Sequence, residues 1–271
     1  MNRIIRISIL TLIFILIALL FMGSTFKNNL IFFPDQTFII PEKQLGKNIK
    51  HHFINTEDNK KIELLHFKSI QATQQLVIYF HGNAGNLYQR IDGMTRISQM
   101  QTDVILLGYR GYGLSEGKAS EKGINLDGKA VIDFALNKLG YLESNITIIG
   151  RSIGSTVAVK VSQNRQFKQL ILISPLTSAT QMAAEKMPIM QWFVKGELDN
   201  LSSLQNVDIP LIIIHGSEDK VIPFAMGQKL FDSYKGEKNL ISIQEAGHNN
   251  LQQYSEYWFA LDKWISGATT N

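Results

Sequence analysis

Short apolar runs recur from about residue 50 to the end of the chain, set apart by longer stretches of mixed character. The runs at 52–55, 62–67, 76–80, 104–108, 146–149, 170–173, 211–214 and 240–243 are rich in β-branched and aliphatic residues and read as strands. Helical patterns cover 123–139, 153–162, 224–233 and 250–265, between or after the later strands. Alternation of this kind predicts an α/β fold, a mostly parallel eight-stranded sheet with helices on both faces. The first two strands are joined by Glu57-Asp58-Asn59, which is a turn and not a crossover, so that pair is expected to be antiparallel.

Two segments break the pattern. Between the strands ending near 174 and starting near 209 lie roughly thirty residues, far more than the usual connection. This insertion, at about 175–206, holds Met182, Met187, Ile189, Met190, Trp192, Phe193 and Val194. These side chains either pack the segment onto the core or offer an apolar surface to a ligand. Trp192 and Phe193 are the candidate substrate-binding residues.

The other segment is the amino terminus. Residues 7–22 are uncharged, and a helix counted from 4 to 26 would be roughly 34 Å long at about 1.5 Å per residue. That length crosses a hydrocarbon core of about 30 Å, with Arg6 reaching back to the headgroups. Arg3 and Arg6 precede the apolar stretch and only Lys27 follows closely, so the positive-inside rule leaves the amino terminus in the cytoplasm. A cleaved signal peptide fits less well. Its apolar region would be long, and Met22-Gly23-Ser24-Thr25-Phe26 is a poor Ala-x-Ala site. The expected organisation is a signal-anchor over 1–27 and a single folded domain over 28–271, carried on the exported side of the membrane. Residues 28–50, with Phe32-Phe33-Pro34-Asp35, read as a tether packed on that domain.

Composition narrows the chemistry. With 271 residues, 45% of them hydrophobic, the chain suits one such domain plus an extension. The net charge of +4 is modest and no dense Lys/Arg run points to nucleic acid. The absence of cysteine excludes disulfides, thiolate nucleophiles and Cys-based zinc sites. No carboxylate–histidine cluster has metal-ligand spacing, and no cofactor is expected.

The candidate chemistry centres on Gly150-Arg151-Ser152-Ile153-Gly154, which lies between a predicted strand and a predicted helix. Gly-x-Ser-x-Gly in that context forms a nucleophile elbow. Its turn is too sharp for side chains at the flanking positions. A serine hydroxyl needs a base to take its proton and an acid to orient the base. Only His215 and His248 follow Ser152. His248 lies in a loop past the last predicted strand and is the better base, whereas His215 sits at a strand end and reads as a hydrogen-bonded structural histidine. The acid is Asp219 or Glu218, both in the loop after the 211–214 strand, at the carboxyl edge where open α/β sheets form their sites. Asp219 is preferred because the chain turns into a helix just beyond it. Upstream, His81-Gly82-Asn83-Ala84-Gly85-Asn86 follows a strand. Its backbone N–H groups can approach a ligand closely, and its spacing fits neither a Walker loop nor a dinucleotide fingerprint. The N–H groups of Asn83 and Ile153 are the candidate oxyanion donors.

These motifs together resemble the α/β-hydrolase superfamily of serine hydrolases, and within it a membrane-anchored subgroup marked by His-Gly-Asn-Ala-Gly-Asn. The resemblance rests on residues 81–86, on Tyr109-Arg110-Gly111-Tyr112-Gly113-Leu114-Ser115-Glu116-Gly117, on the Ser152 motif, and on His215-Gly216-Ser217-Glu218-Asp219 with Gly247-His248. It implies a structural role for Arg110 and the glycines after it, and a lid at the 175–206 insertion. Relatives often carry an acidic or amide residue just before the Tyr-Arg pair, where this chain has Gly108. The implied activity is hydrolysis of an ester or thioester through an acyl-enzyme, on a small-molecule or lipid-linked substrate. Depalmitoylases and lipid hydrolases are among the wider relatives, but fold does not fix substrate. An acyltransferase using the same triad, or a binding module that keeps the fold, are the other readings.

Overall fold

The computed structural model describes residues 27–29 and 31–267. Its strands are β1 Ile49–Asn55, β2 Lys61–Phe67, β3 Leu76–Phe80, β4 Asp103–Leu107, β5 Ile146–Arg151, β6 Gln169–Ile173, β7 Leu211–Gly216 and β8 Lys238–Ile243. Its α-helices are α1 Ile91–Ser98, α2 Glu121–Asn137, α3 Gly154–Ser162, α4 Ala179–Lys186, α5 Asn200–Ser203, α6 Phe224–Ser233 and α7 Ser255–Ser266.

All eight strands form one sheet in the order β1-β2-β4-β3-β5-β6-β7-β8. β2 runs antiparallel to both β1 and β4, and every other pairing is parallel. The hairpin expected at Glu57-Asp58-Asn59 is present, with Asn59 in the left-handed region at φ 57°. The apolar runs are continuous because the sheet is covered on both sides. Ile78, Phe80, Ile146, Ile148, Leu211 and Ile213 enter one core, while Val77, Tyr79, Ile149, Ile212 and Ile214 enter the other. Neighbours along a strand thus face opposite layers, as the two-residue period requires.

The chain leaves β4 and crosses over β3 to add β5 on its far side, so the order reverses between β3 and β5. The loops that follow these two strands diverge, which opens a crevice at the carboxyl edge of the sheet. The 81–86 loop and the Ser152 elbow border it.

Three elements differ from expectation. α1 was not predicted, because Gly93, Thr95 and Ser98 are weak helix formers. Its signal was the spacing of Ile91, Met94 and Ile97, of which Met94 and Ile97 are buried. The helix expected from 250 starts five residues later, since Tyr254 is extended at φ −96°, ψ 132° after a 3₁₀ turn at Leu251–Gln253. The insertion after β6 carries α4, a 3₁₀ turn at Pro188–Trp192, and α5. Residues 1–26, the greater part of the expected anchor, lie outside the described residues. Among the described residues no helix is long and apolar enough to cross a membrane.

Candidate active site

Ser152 adopts φ 55°, a left-handed conformation that L-residues rarely hold. The flanking glycines permit it. A Cβ on Gly154 would collide with the carbonyls of Phe80 and His81, and one on Gly150 would collide with Ala158 and the Gly154 carbonyl. The backbone N–H of Ser152 donates to the Ile173 carbonyl at 2.8 Å, which ties the elbow to β6. Asn200 Nδ2 donates to Ser155 Oγ at 2.9 Å and to the Leu176 carbonyl at 2.8 Å, linking the start of α3 to the insertion.

The Ser152 hydroxyl lies 3.1 Å from His248 Nε2, and His248 Nδ1 lies 2.7 Å from Asp219 Oδ2. The tautomer these contacts assign has Nδ1–H donating to the carboxylate and Nε2 accepting from the serine. The other oxygen, Asp219 Oδ1, accepts the backbone N–H groups of Val221 at 2.9 Å and Ile222 at 2.8 Å. Burial raises the Asp219 carboxyl, but hydrogen bonds from His215 and His248, the His248 charge and the Ile222 N–H outweigh it and hold the pKa well below the ordinary value. Asp219 is therefore a carboxylate throughout the neutral range. Glu218 is exposed, and no contact with His248 involves it among the described residues.

His215 is a buried, hydrogen-bonded histidine at the end of β7, as the sequence suggested. It is fully buried, its Nε2 lies 2.9 Å from the Ile222 carbonyl and 3.4 Å from Asp219 Oδ2, the same oxygen that meets His248.

The loop after β3 approaches the serine closely. A Cβ on Gly82 would lie 3.3 Å from the Ser152 Cβ, so only glycine lets the loop sit there without displacement. Neither the Asn83 nor the Ile153 backbone N–H makes a hydrogen bond among the described residues, which suits donors reserved for an incoming oxygen. Sequence reasoning missed what the loop's side chains do. Asn83 Oδ1 accepts from the Phe33 N–H at 2.9 Å and from the Tyr112 hydroxyl at 2.8 Å, and its Nδ2 donates to the Ile31 carbonyl at 2.5 Å. Asn86 Nδ2 donates to the Phe38 carbonyl at 2.7 Å. The tether is thus stitched to the loop that borders the serine. His81, fully buried, is pushed down to about 3 by burial and stays neutral.

Above Ser152 lies a cavity of about 450 Å³. Gly82, Asn83, Ser152, Ile153 and His248 form one side of it. The insertion contributes Met182, Ala183, Met187, Met190, Val194 and Leu198, and the tether contributes Ile31 and Phe33. Trp192 and Phe193, the expected substrate-binding residues, are not among its walls. They face outward, 74% and 57% exposed. The 3₁₀ turn at Pro188–Trp192 presents Met190 to the cavity and Trp192 to solvent, because residues two apart lie on different sides of a three-residue turn.

A family model for the alpha/beta hydrolase fold matches residues 75–197, from β3 through the elbow into the insertion. An esterase of Pyrococcus furiosus, Pf2001, superposes with a TM-score of 0.72, covering 88% of this chain and 97% of its own at 20% identity. This is the α/β-hydrolase fold. An esterase of Exiguobacterium antarcticum shares the hydrolase fold at a TM-score of 0.64 and 19% identity, covering 80% of this chain and 99% of its own. In sequence, the human alpha/beta hydrolase domain-containing protein 17B is 28% identical over 217 residues, which is 80% of this chain and 75% of the relative. The Xenopus laevis protein of the same name is 27% identical over the same length.

Arg110 of the hydrolase fold has the structural role expected of it. Its Nε and backbone N–H bond Asp127 at 2.9 and 2.8 Å, and its two terminal nitrogens bond Asp58 at 2.8 and 2.9 Å. Gly108, the departure noted in the sequence, sits where a Cβ would strike Leu87. A side chain at that position would require Leu87 to shift.

Proposed function

We propose that the protein is a serine hydrolase that cleaves carboxylic esters or thioesters through an acyl-enzyme. One observation carries this reading: a strained serine in hydrogen-bonded line with His248 and Asp219, at the floor of an apolar cavity. Ser152 Oγ attacks the acyl carbonyl as its proton passes to His248 Nε2. The tetrahedral oxyanion forms beside the Asn83 and Ile153 N–H groups. His248 then gives the proton to the departing alcohol or thiol. Water, losing a proton to the same nitrogen, attacks the acyl-serine and releases the acid. Asp219 holds the imidazole and stabilises its charged form.

The site is read as tethered at the outer face of a membrane by the segment over 1–27, acting on lipid-linked or other acylated substrates. Lys27, the last residue of that segment, pairs with Glu197 of the insertion at 2.6 Å. That contact supports placing the cavity rim beside the anchor.

The test is active-site labelling of the full chain with a fluorophosphonate, together with hydrolysis of an ester series. Labelling should be lost in Ser152→Ala. Ser152→Ala and His248→Ala should each lower kcat by orders of magnitude, with the double variant little worse than either. Undiminished hydrolysis in Ser152→Ala would end the proposal.

A further inference from the structure

The cavity above Ser152 is lined by Arg90, Arg151 and Lys186 and by no carboxylate. Arg110 shows how this fold treats a buried guanidinium when its role is structural: two carboxylates meet it. Arg90 and Arg151 have no carboxylate within 4.0 Å among the described residues. Each spends a terminal nitrogen on a backbone carbonyl. Arg90 Nη2 donates to Ala84, and Arg151 Nη2 donates to His248 at 2.8 Å, with a longer contact to Asn249 Oδ1 at 3.5 Å. Arg90 Nε is buried with no partner at all.

A guanidinium carries five donors and keeps its charge. Both side chains are half-buried, and drawing them even partly out of water without a counter-ion has a cost, to which their nearness adds repulsion. Burial and the nearby Arg151 charge both pull the Arg90 pKa down, with Tyr79 opposing them. The two bonds to carbonyls fix the side chains without neutralising them. The group that complements this pair is an anion.

The position of the pair says which part of a substrate would bring it. Arg151 adjoins the nucleophile, and Arg90 closes the loop that carries Gly82, Asn83 and Ala84. The apolar lining comes mostly from a different part of the chain, the insertion and the tether. An acyl chain against the methionines therefore leaves the other half of the ester to the arginines.

We propose that Arg90 and Arg151 form an anion-binding subsite for the leaving group, so that the preferred substrate is an acyl ester whose alcohol or thiol half carries a carboxylate or phosphate close to the scissile bond. The proposal rests on the hydrolase reading above. Both anions match the planar fork of a guanidinium.

The test compares octanoyl esters of 3-hydroxybenzoate, 3-hydroxyphenyl phosphate and the neutral 3-hydroxybenzamide on the full chain in a neutral detergent. One or both anionic esters should be favoured in kcat/KM by at least ~10-fold, the scale of a charge-assisted hydrogen bond. Arg90→Gln should bring the ratio to near one, Arg151→Gln should reduce it, and Arg90→Lys should keep part of it. Equal kcat/KM for all three esters, or a ratio untouched by Arg90→Gln, overturns the subsite. A second arm needs no catalysis: calorimetric binding of 3-hydroxybenzoate, 3-hydroxyphenyl phosphate and 3-hydroxybenzamide to Ser152→Ala. Charge-selective binding that disappears on adding Arg90→Gln supports the subsite even if no ester is turned over, in which case it is the hydrolase reading that fails. Hydrolysis without charge preference, and binding without it, leaves the hydrolase and removes the subsite.

Discussion

Asp219 shows how much one side chain can depend on both of its oxygens. Oδ1 is committed to the N–H groups of Val221 and Ile222, which leaves Oδ2 for His248. In Asp219→Asn the amide oxygen has to take the place of Oδ1, since two N–H donors face it. The amide NH₂ then points at His248 Nδ1 and selects the tautomer with its proton on Nε2, where the serine needs an acceptor. Fold and stability should change little, while kcat for ester hydrolysis falls by roughly 10³–10⁴-fold. Crystallography of the variant checks the flip, and steady-state kinetics the rate. Full activity in Asp219→Asn would move the acid elsewhere, and exposed Glu218 would have to be reconsidered. The turn that follows Asp219 was the sequence signal that favoured it over Glu218, and the structure sets Asp219 beside His248. The contact of His215 with Asp219 was not legible there, because strand ends do not say which way a ring faces.

At the scale of elements, the insertion after β6 decides what the cavity admits. Met182 and Met190 line it, and Trp192 does not. Each buried methylene is worth about 0.8 kcal/mol, or roughly fourfold in kcat/KM, until the pocket is full. Catalytic efficiency should therefore climb from acetate towards medium or longer acyl chains and then fall. Met190→Ala should cut the preference for octanoate over acetate several-fold, by removing lining contacts. Trp192→Ala should leave that preference as it is. A chain-length series on both variants settles it, and a loss of preference confined to Trp192→Ala would mean that the turn at Pro188–Trp192 is rotated in solution. The sequence showed that this segment was rich in Met, Trp and Phe. It did not show which of them faces inward, because a 3₁₀ turn joined to short helices has no sustained period to read. Helix α1 was missed because its residues include weak helix formers and its apolar spacing spans only two turns.

At the scale of the whole molecule, one hollow brings the start of the described chain, the insertion and α2 together. Lys27, Glu121 and Glu197 share one hollow with Ser120, Lys122 and Asn125. Burial, followed by the hydrogen bond and charge of Glu197, raises Glu121 to about 7, with the Leu198 N–H and Lys27 acting the other way. A carboxyl whose pKa rises on folding takes up a proton on folding. Its stabilising contribution is complete below its unfolded value, near 4.5, and is lost as pH rises through about 7. Glu121→Gln, neutral at every pH, should match the wild type in Tm near pH 5 and exceed it near pH 8. Thermal melts across that interval test this. Parallel pH profiles for the two proteins would show that Glu121 does not hold its proton.

Continuous apolar runs, the Gly150-Arg151-Ser152-Ile153-Gly154 elbow and the order of Ser152, Asp219 and His248 were enough to determine a covered, mostly parallel sheet and the edge where the candidate site lies. Such signals are local, since strand burial, turn geometry and residue order are written within a few positions. Only the tertiary structure decided that Asn83 and Asn86 hold the tether, that His215 meets Asp219, that Met190 and not Trp192 meets the cavity, and that Arg90 and Arg151 stand without a carboxylate. Each of those facts depends on which way a side chain faces in the folded chain and on which groups meet it there, and the tether contacts of Asn83 and Asn86 add pairing over about fifty residues. Pairing across 50 to 100 residues leaves no periodic trace in a single chain.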